Sequence, residues 1–202
     1  FYDLLRLDEG RLGIVIGDVS GHGAPAMVAM ALLRMLYRME STQTADPADL
    51  LARINAKMFD HLPTEQYATM FYGVLELASG RLRYSSAGHP PAVLIDRQTR
   101  RARFIEGCQG IPIKLLAPSV VYVNHELTMP AGYSLLFFTD GLVETFNDAA
   151  DVYGCERVAA TMSDLAREEP EAAIQGLLAD LDRFRKDCPF LDDLSLLLLT
   201  RE

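Results

Sequence analysis

Three aspartates stand at the edges of apolar runs in this 202-residue chain, and their type and placement point to cation chemistry. Asp18 follows Leu12 to Gly17 (LGIVIG) and precedes Val19-Ser20-Gly21-His22-Gly23. Asp140-Gly141 breaks the run Leu135-Leu136-Phe137-Phe138-Thr139, and Asp192-Asp193 comes just before Leu194 to Leu199. Carboxylates brought together at strand ends repel one another and raise each other's pKa unless a cation neutralises them. An all-oxygen donor set selects Mg²⁺ or Mn²⁺ over zinc. Each aspartate alone reads as a strand-terminating turn, and only the three together carry the metal reading. The glycines beside Asp18 and Asp140 let a ligand come close to backbone. His22 is a candidate general acid or phosphate contact, and equally an ordinary turn residue. His89, in Ala87-Gly88-His89-Pro90-Pro91, is a candidate to face the same site, although the glycine and prolines account for a tight turn without it.

The elements that must position these residues follow from periodicity. Leu12 to Gly17 is a continuous β-branched run, which predicts a strand covered on both faces. Ala24 to Met39 is apolar nearly all round and predicts a buried helix, with Pro25 in its first turn. Asp46, Pro47 and Asp49 mark the start of an amphipathic helix that carries Leu50, Leu51, Ile54 and Met58. Met70 to Leu77 and Leu82 to Ser86 read as a hairpin turning at Gly80. Short strands are expected at Ala92 to Ile95, Arg101 to Ile105, Val120 to Leu127 and Ser134 to Phe138. Helices follow at Glu156 to Ala166 and around Ile174 to Phe184, and Leu194 to Leu199 closes as a strand. The expectation is one α+β domain over 1–202, with no repeat or long linker.

Composition excludes several classes. Half of the residues are apolar, enough for a sizeable core, and a net charge of −9 disfavours a nucleic-acid reader. No apolar stretch is long enough to cross a bilayer, and no signal segment opens the chain, so a cytoplasmic location is expected. Cys108, Cys155 and Cys188 are too far apart for a zinc knuckle and read as ordinary buried thiols. Six residues beyond them stand Lys114, Thr161 and Leu194 rather than arginine, which argues against a cysteine phosphatase. Ser20 lacks the Gly-x-Ser-x-Gly surroundings of a serine hydrolase. Arg97, Arg100, Arg101 and Arg103 cluster on an expected hairpin, either to dock an acidic partner or simply as solvated charge.

Taken in order, GDVSGHG (Gly17 to Gly23), SSAGHPP (Ser85 to Pro91), FTDGLVE (Phe138 to Glu144) and DDLSLLLL (Asp192 to Leu199) resemble the bacterial Ser/Thr phosphatases of the metal-dependent type 2C superfamily. The nearest branch is that of stage II sporulation protein E and RsbU, and the match runs from Phe1 to Arg201. The resemblance implies a four-layer α-β-β-α sandwich of two antiparallel sheets flanked by helix pairs, with two Mg²⁺ or Mn²⁺ ions. It implies that Asp18 bridges both ions, that the Val19 carbonyl binds one, and that Asp140 and Asp192 complete the other. Gly141 is implied to permit close approach, and Asp193 to have a secondary role. Direct hydrolysis without a phosphoenzyme is implied, on a phosphoprotein such as an anti-sigma-factor antagonist, with an upstream receiver or sensor domain and a possible homodimer.

Two departures qualify the resemblance. The family usually places Gly-Gly-Asp before Phe1-Tyr2-Asp3, and that aspartate is a ligand of the second ion. Hence the expectation that the chain is a C-terminal fragment lacking its first strand, with Asp3 as a possible substitute. Lys114 stands where the family usually has glycine, so a different loop conformation is expected there. Two rival functions remain open: a phosphatase-like adaptor with reduced or no catalysis, and a hydrolase of small phosphate esters.

Overall fold

The computed structural model describes residues 1–62 and 65–202. In chain order its elements are β1 (Tyr2–Arg6), β2 (Arg11–Val19), α1 (Gly23–Glu40), α2 (Pro47–His61), β3 (Ala68–Glu76), β4 (Arg81–Ala87), β5 (Val93–Asp96), β6 (Arg101–Phe104), β7 (His125–Thr128), β8 (Tyr133–Phe138), α3 (Gly154–Asp164), α4 (Pro170–Arg185) and β9 (Leu196–Arg201). They fall into two compact units: Phe1–His89 with Glu106–Thr128, and Pro90–Ile105 with Met129–Glu202.

The first unit is an antiparallel sheet in the order β1-β2-β3-β4-β7, with α1 and α2 on one face. Alternation along β2 decides what each face carries. Val15 packs with Tyr72 and Val74 of β3 against Leu33, Leu36 and Tyr37 of α1 and Leu50, Leu51 and Ile54 of α2. Ile14, Ile16 and Asp18 therefore face the other way. Gly13 makes room on the helix side, where a Cβ would come within 3.3 Å of the Tyr72 hydroxyl oxygen. Tyr72 in turn meets Tyr37 edge-on at 5.7 Å between ring centres.

The second unit is a four-stranded antiparallel sheet, β6-β5-β8-β9, packed on α3 and α4. Val93, Ile95, Leu136 and Phe138 from the strands meet Val158 and Met162 of α3 and Leu177 and Leu181 of α4. The α+β class, and two antiparallel sheets each carrying a helix pair, agree with expectation.

Local signals fared well where the local interaction was the cause. Asp46 caps α2 through a 3.0 Å bond from the Asp49 amide, and Gly80 takes the left-handed conformation at the β3–β4 turn (φ 72°). Other expectations require correction. The α1 helix buries only one side: Met27 is 66% exposed, Val28 60%, Met35 51% and Met39 52%, because the sheet covers one face alone. The expected strand from Val120 is confined to His125–Thr128. Before it, side-chain amides hold the backbone instead of a ladder: Asn55 donates to the Ala117 and Pro118 carbonyls, and Asn124 bonds both Asp46 and the Ala48 amide. Strand β1, which was not expected, forms because β2 offers it a partner from Tyr2↔Ile16 to Arg6↔Leu12. Of the cysteines only Cys108 is buried; Cys155 lies exposed in the first turn of α3 and Cys188 is half-buried beyond α4.

The Asp46 carboxylate serves a helix cap, Asn124 and Arg83 together. Asp46→Ala is expected to lower unfolding stability by about 1–2 kcal/mol, with an unchanged urea m-value. Equilibrium urea titration followed by circular dichroism measures it.

Candidate functional site

In the first unit, Asp18 is the last residue but one of β2, and the strand continues through Val19, which still pairs with Ala68. The rigid ladder therefore holds both the carboxylate and the adjoining carbonyl. The turn that follows is tied to the sheet: the Ser20 amide donates to the Tyr67 carbonyl at 2.9 Å, and the Tyr67 amide donates to Ser20 Oγ at 3.0 Å. Gly21 and Gly23 have φ of 86° and 76°, a region that a side chain enters only with strain. Between them, exposed His22 begins α1 in extended conformation and makes no capping bond of its own.

Asp18 stands opposite Thr69 in the β2–β3 ladder. Thr69 Oγ1 lies 3.0 Å from His89 Nδ1, and the His89 amide donates to Ser86 Oγ at 3.2 Å. His89 is only 1% exposed. It is thus a buried neighbour of Thr69, on the face of the sheet that carries Asp18. Thr69 carries no motif signal; register alone reveals it.

Two further expectations are corrected here. Asp3 pairs in register with Val15, so it projects to the helix face, away from Asp18. Its carboxylate is held by Arg38 at 2.6 Å, with Arg34 at 3.8 Å, which engages it with α1. Lys114 takes the left-handed conformation (φ 63°) that glycine reaches without strain, so the loop absorbs the residue change instead of avoiding it. Its amide donates to Asn55 Oδ1 at 2.8 Å, and its ammonium lies 5.7 Å from the centre of the Phe59 ring.

In the second unit, Asp140 follows β8 and Asp192 precedes β9, strands that pair from Tyr133↔Arg201 to Phe138↔Leu196. Thr139 clamps the two segments together: its amide donates to the Ser195 carbonyl, its hydroxyl donates to the Asp193 carbonyl at 2.9 Å, and it accepts from the Ser195 amide. A Cβ on Gly141 would come within 2.7 Å of the Asp193 carbonyl oxygen, so only glycine fits this backbone contact. Asp140 and Asp192 consequently offer carboxylate oxygens within 4.8 Å of each other. Burial, and then the Asp192 charge, push the Asp140 carboxyl above its ordinary value of 3.8. Asp140 Oδ1 is buried with no hydrogen-bond partner among the described residues. Asp192 is exposed and accepts from the Asp193 amide at 2.7 Å; the Asp193 side chain is exposed.

A buried carboxylate oxygen without a protein donor, beside a second carboxylate, fits a hard divalent cation. The donors are all oxygens, as Mg²⁺ or Mn²⁺ requires. Thr139 was missed by sequence reasoning, since a threonine after an apolar strand gives no sign of which distant carbonyl it will bond.

Comparison with known proteins came to one family. The family described as stage II sporulation protein E (SpoIIE) matches residues 8–202. Protein IcfG of Synechocystis is 25% identical over 190 residues, covering 81% of this chain and 30% of its own length. Phosphoserine phosphatase RsbP of Bacillus subtilis is 25% identical over 180 residues, covering 87% of this chain and 41% of its own. The chain thus spans less than half the length of these curated relatives. The crystal structure of the RsbU and RsbW domains of Rv1364c from Mycobacterium tuberculosis superimposes with a TM-score of 0.82 at 28% identity, over 100% of this chain and 54% of that one.

The raised Asp140 carboxyl has a definite sign in stability. Without metal, the folded chain holds this proton more tightly than the unfolded chain. Stability from this group therefore falls as pH rises from about 3.8 through the raised folded value. Asp140→Asn should flatten that slope and raise the metal-free midpoint at neutral pH by roughly 2 °C, read by thermal denaturation across pH. Gly141→Ala should instead destabilise by about 1–3 kcal/mol, because backbone must move to admit the methyl group.

Proposed function

Because the chain belongs to the stage II sporulation protein E family, we propose that it is a metal-dependent phosphatase domain that hydrolyses phosphoserine or phosphothreonine on a protein. The observation that carries this reading is the buried, unpartnered Asp140 oxygen beside Asp192. In the proposed site Asp18, the Val19 carbonyl, Asp140 and Asp192 are the groups that would hold the Mg²⁺ or Mn²⁺ ions, two being the proposed number. Such ions supply, when bound, neutralisation of phosphoryl charge and acidification of water.

The chain's own residues have the following parts. The β2 ladder fixes the Asp18 carboxylate in the first unit, and the Thr139 clamp fixes Asp140 against Asp192 in the second. His22, exposed between two glycines, has the proposed role of giving a proton to the departing seryl oxygen or contacting the phosphoryl group. Asp193 and Gly141 act by fixing the loop that carries Asp192. His89 holds Thr69, opposite Asp18.

The phosphoserine phosphatases RsbP and RsbU of Bacillus subtilis support a phosphoprotein substrate, for which an anti-sigma-factor antagonist is the proposed class. Since those relatives are much longer, we place the domain downstream of a receiver or sensor domain in a cytoplasmic signalling protein, with a homodimer as the proposed assembly. Among the described residues no helix is long and apolar enough to cross a membrane.

Purified protein should release phosphate from a phosphoserine protein with Mn²⁺ or Mg²⁺ and stop when a chelator is added. Asp18→Asn and Asp140→Asn should each lower turnover by at least about 100-fold, with unchanged circular dichroism. Folded protein without any metal-dependent hydrolysis would instead favour the adaptor. Cleavage of an aryl phosphate with no phosphoprotein turnover would favour a small-ester hydrolase.

A further inference from the structure

We propose that the concavity at the β5–β6 hairpin is a docking site for an acidic, carboxylate-rich segment of a protein partner, gripped by Arg100, Arg101 and Arg103. The concavity measures about 540 Å³ and is lined by these arginines with Asp96, Tyr133 and Ser163. Strand β6 lies at the edge of its sheet, and its Ala102 and Phe104 pack into the α3–α4 core. Alternation then sends the exposed Arg101 and Arg103 from the opposite face.

Pairing sets these three arginines apart. Arg11, Arg34, Arg38, Arg53, Arg81, Arg83, Arg183 and Arg185 have carboxylate partners. Arg6, Arg97, Arg167 and Arg201 bond backbone carbonyls, and Arg157 stacks on the Phe184 ring. Arg97, grouped with the cluster by sequence, thus belongs to the α3 end, where it bonds the Ala166 and Glu168 carbonyls. Among the described residues, Arg100, Arg101 and Arg103 alone of the arginines have side chains with no hydrogen bond, ion pair or ring contact, in a chain of net charge −9. The carboxylate beside them is engaged elsewhere. Asp96 accepts from the Gln98 and Thr99 amides at 2.9 and 3.0 Å and from the Tyr133 hydroxyl at 3.0 Å. Arg100 also sits at φ 56°, a turn position that asparagine or glycine fills at lower cost.

Three arginines against the single ionised carboxylate of Asp96 leave an excess of positive charge around one concavity. Guanidinium forks match carboxylates in pairs of parallel bonds, so several acidic side chains on a short segment satisfy them together. Strand addition is not the mode, because the outward Ala102 amide already donates to Ser163 Oγ at 3.1 Å. A nucleic acid fits poorly, since it needs many phosphate contacts and the rest of this acidic chain repels it. Tyr133 opens β8 and Asp140 lies just past its end, so the concavity stands about 20 Å from Asp140 along the strand. It is a docking point apart from the carboxylate pair, and it does not depend on the phosphatase reading.

A fluorescein-labelled hexaglutamate peptide, titrated with the whole chain and followed by anisotropy at low salt, tests this. Wild-type protein should bind it, and binding should weaken as salt is added. The double variant Arg101→Ala with Arg103→Ala should bind about tenfold more weakly. The double lysine variant should fall between the two, and Arg183→Ala, which removes a carboxylate-paired arginine on α4, should bind as wild type does. All three arginines are exposed, so circular dichroism should not change. Absence of wild-type binding, equal affinity in the double alanine variant, or preference for a single-stranded oligonucleotide or phosphatidylserine vesicles over the peptide would each overturn the proposal.

Discussion

The Gly141 backbone lies against the Asp193 carbonyl so closely that a single methyl group would come within 2.7 Å of it, and Thr139 bonds across the same seam. That contact brings the end of β8 to the start of β9 and puts Asp140 beside Asp192. The arrangement costs free energy in the protein alone, since it buries one carboxylate oxygen without a donor and raises that carboxyl's pKa. A cation reverses the sign of both effects. In the proposed metal site, the same packing that destabilises the metal-free chain would provide affinity for the ion.

Elsewhere the charges are mostly settled locally. Glu40, buried on α1, is met by Lys57 and Arg53 from α2; Asp3 is met by Arg38; Asp180 is held by Tyr153 and Arg183. Pairs of this kind contribute little each when exposed, but they remove charges from circulation. Against that background, the unpartnered Asp140 oxygen and the three unpaired arginines of the β5–β6 hairpin stand out. The first is the proposed place of a cation and the second that of an acidic segment. They lie toward opposite ends of β8, so what binds at one need not compete with what binds at the other.

Much of the fold was legible where cause and effect are close in sequence. Asp46 and Pro47 announce α2 because a cap acts on amides three residues away, and Gly80 announces a hairpin because its own φ makes the turn. Helix α1 was legible as a helix but not in its exposure: Met27, Val28, Met35 and Met39 have the hydropathy of a core, and only the number of layers over them makes them surface. Strand β1 escaped notice because its pattern is too short to read without β2. The stretch before β7 was misread as strand because Val120, Val121 and Val123 have strand propensity, while amide side chains from α2 and from Asn124 itself set the path.

The candidate site divides along the same line. Asp18, Asp140 and Asp192, each with its glycines or apolar run, were proposed from sequence alone, and four short motifs in fixed order sufficed for the family. The bonds that decide what each charged group does join residues far apart in the chain: Asp3 to Arg38, Thr69 to His89, Thr139 to Asp193, Arg97 to Ala166. Strand alternation and register choose these partners, and neither acts until the sheets have formed. Sequence thus picked out the groups proposed to carry chemistry. Tertiary structure alone decided which are paired, buried or left waiting for a partner, because that depends on the energy of contacts no local pattern encodes.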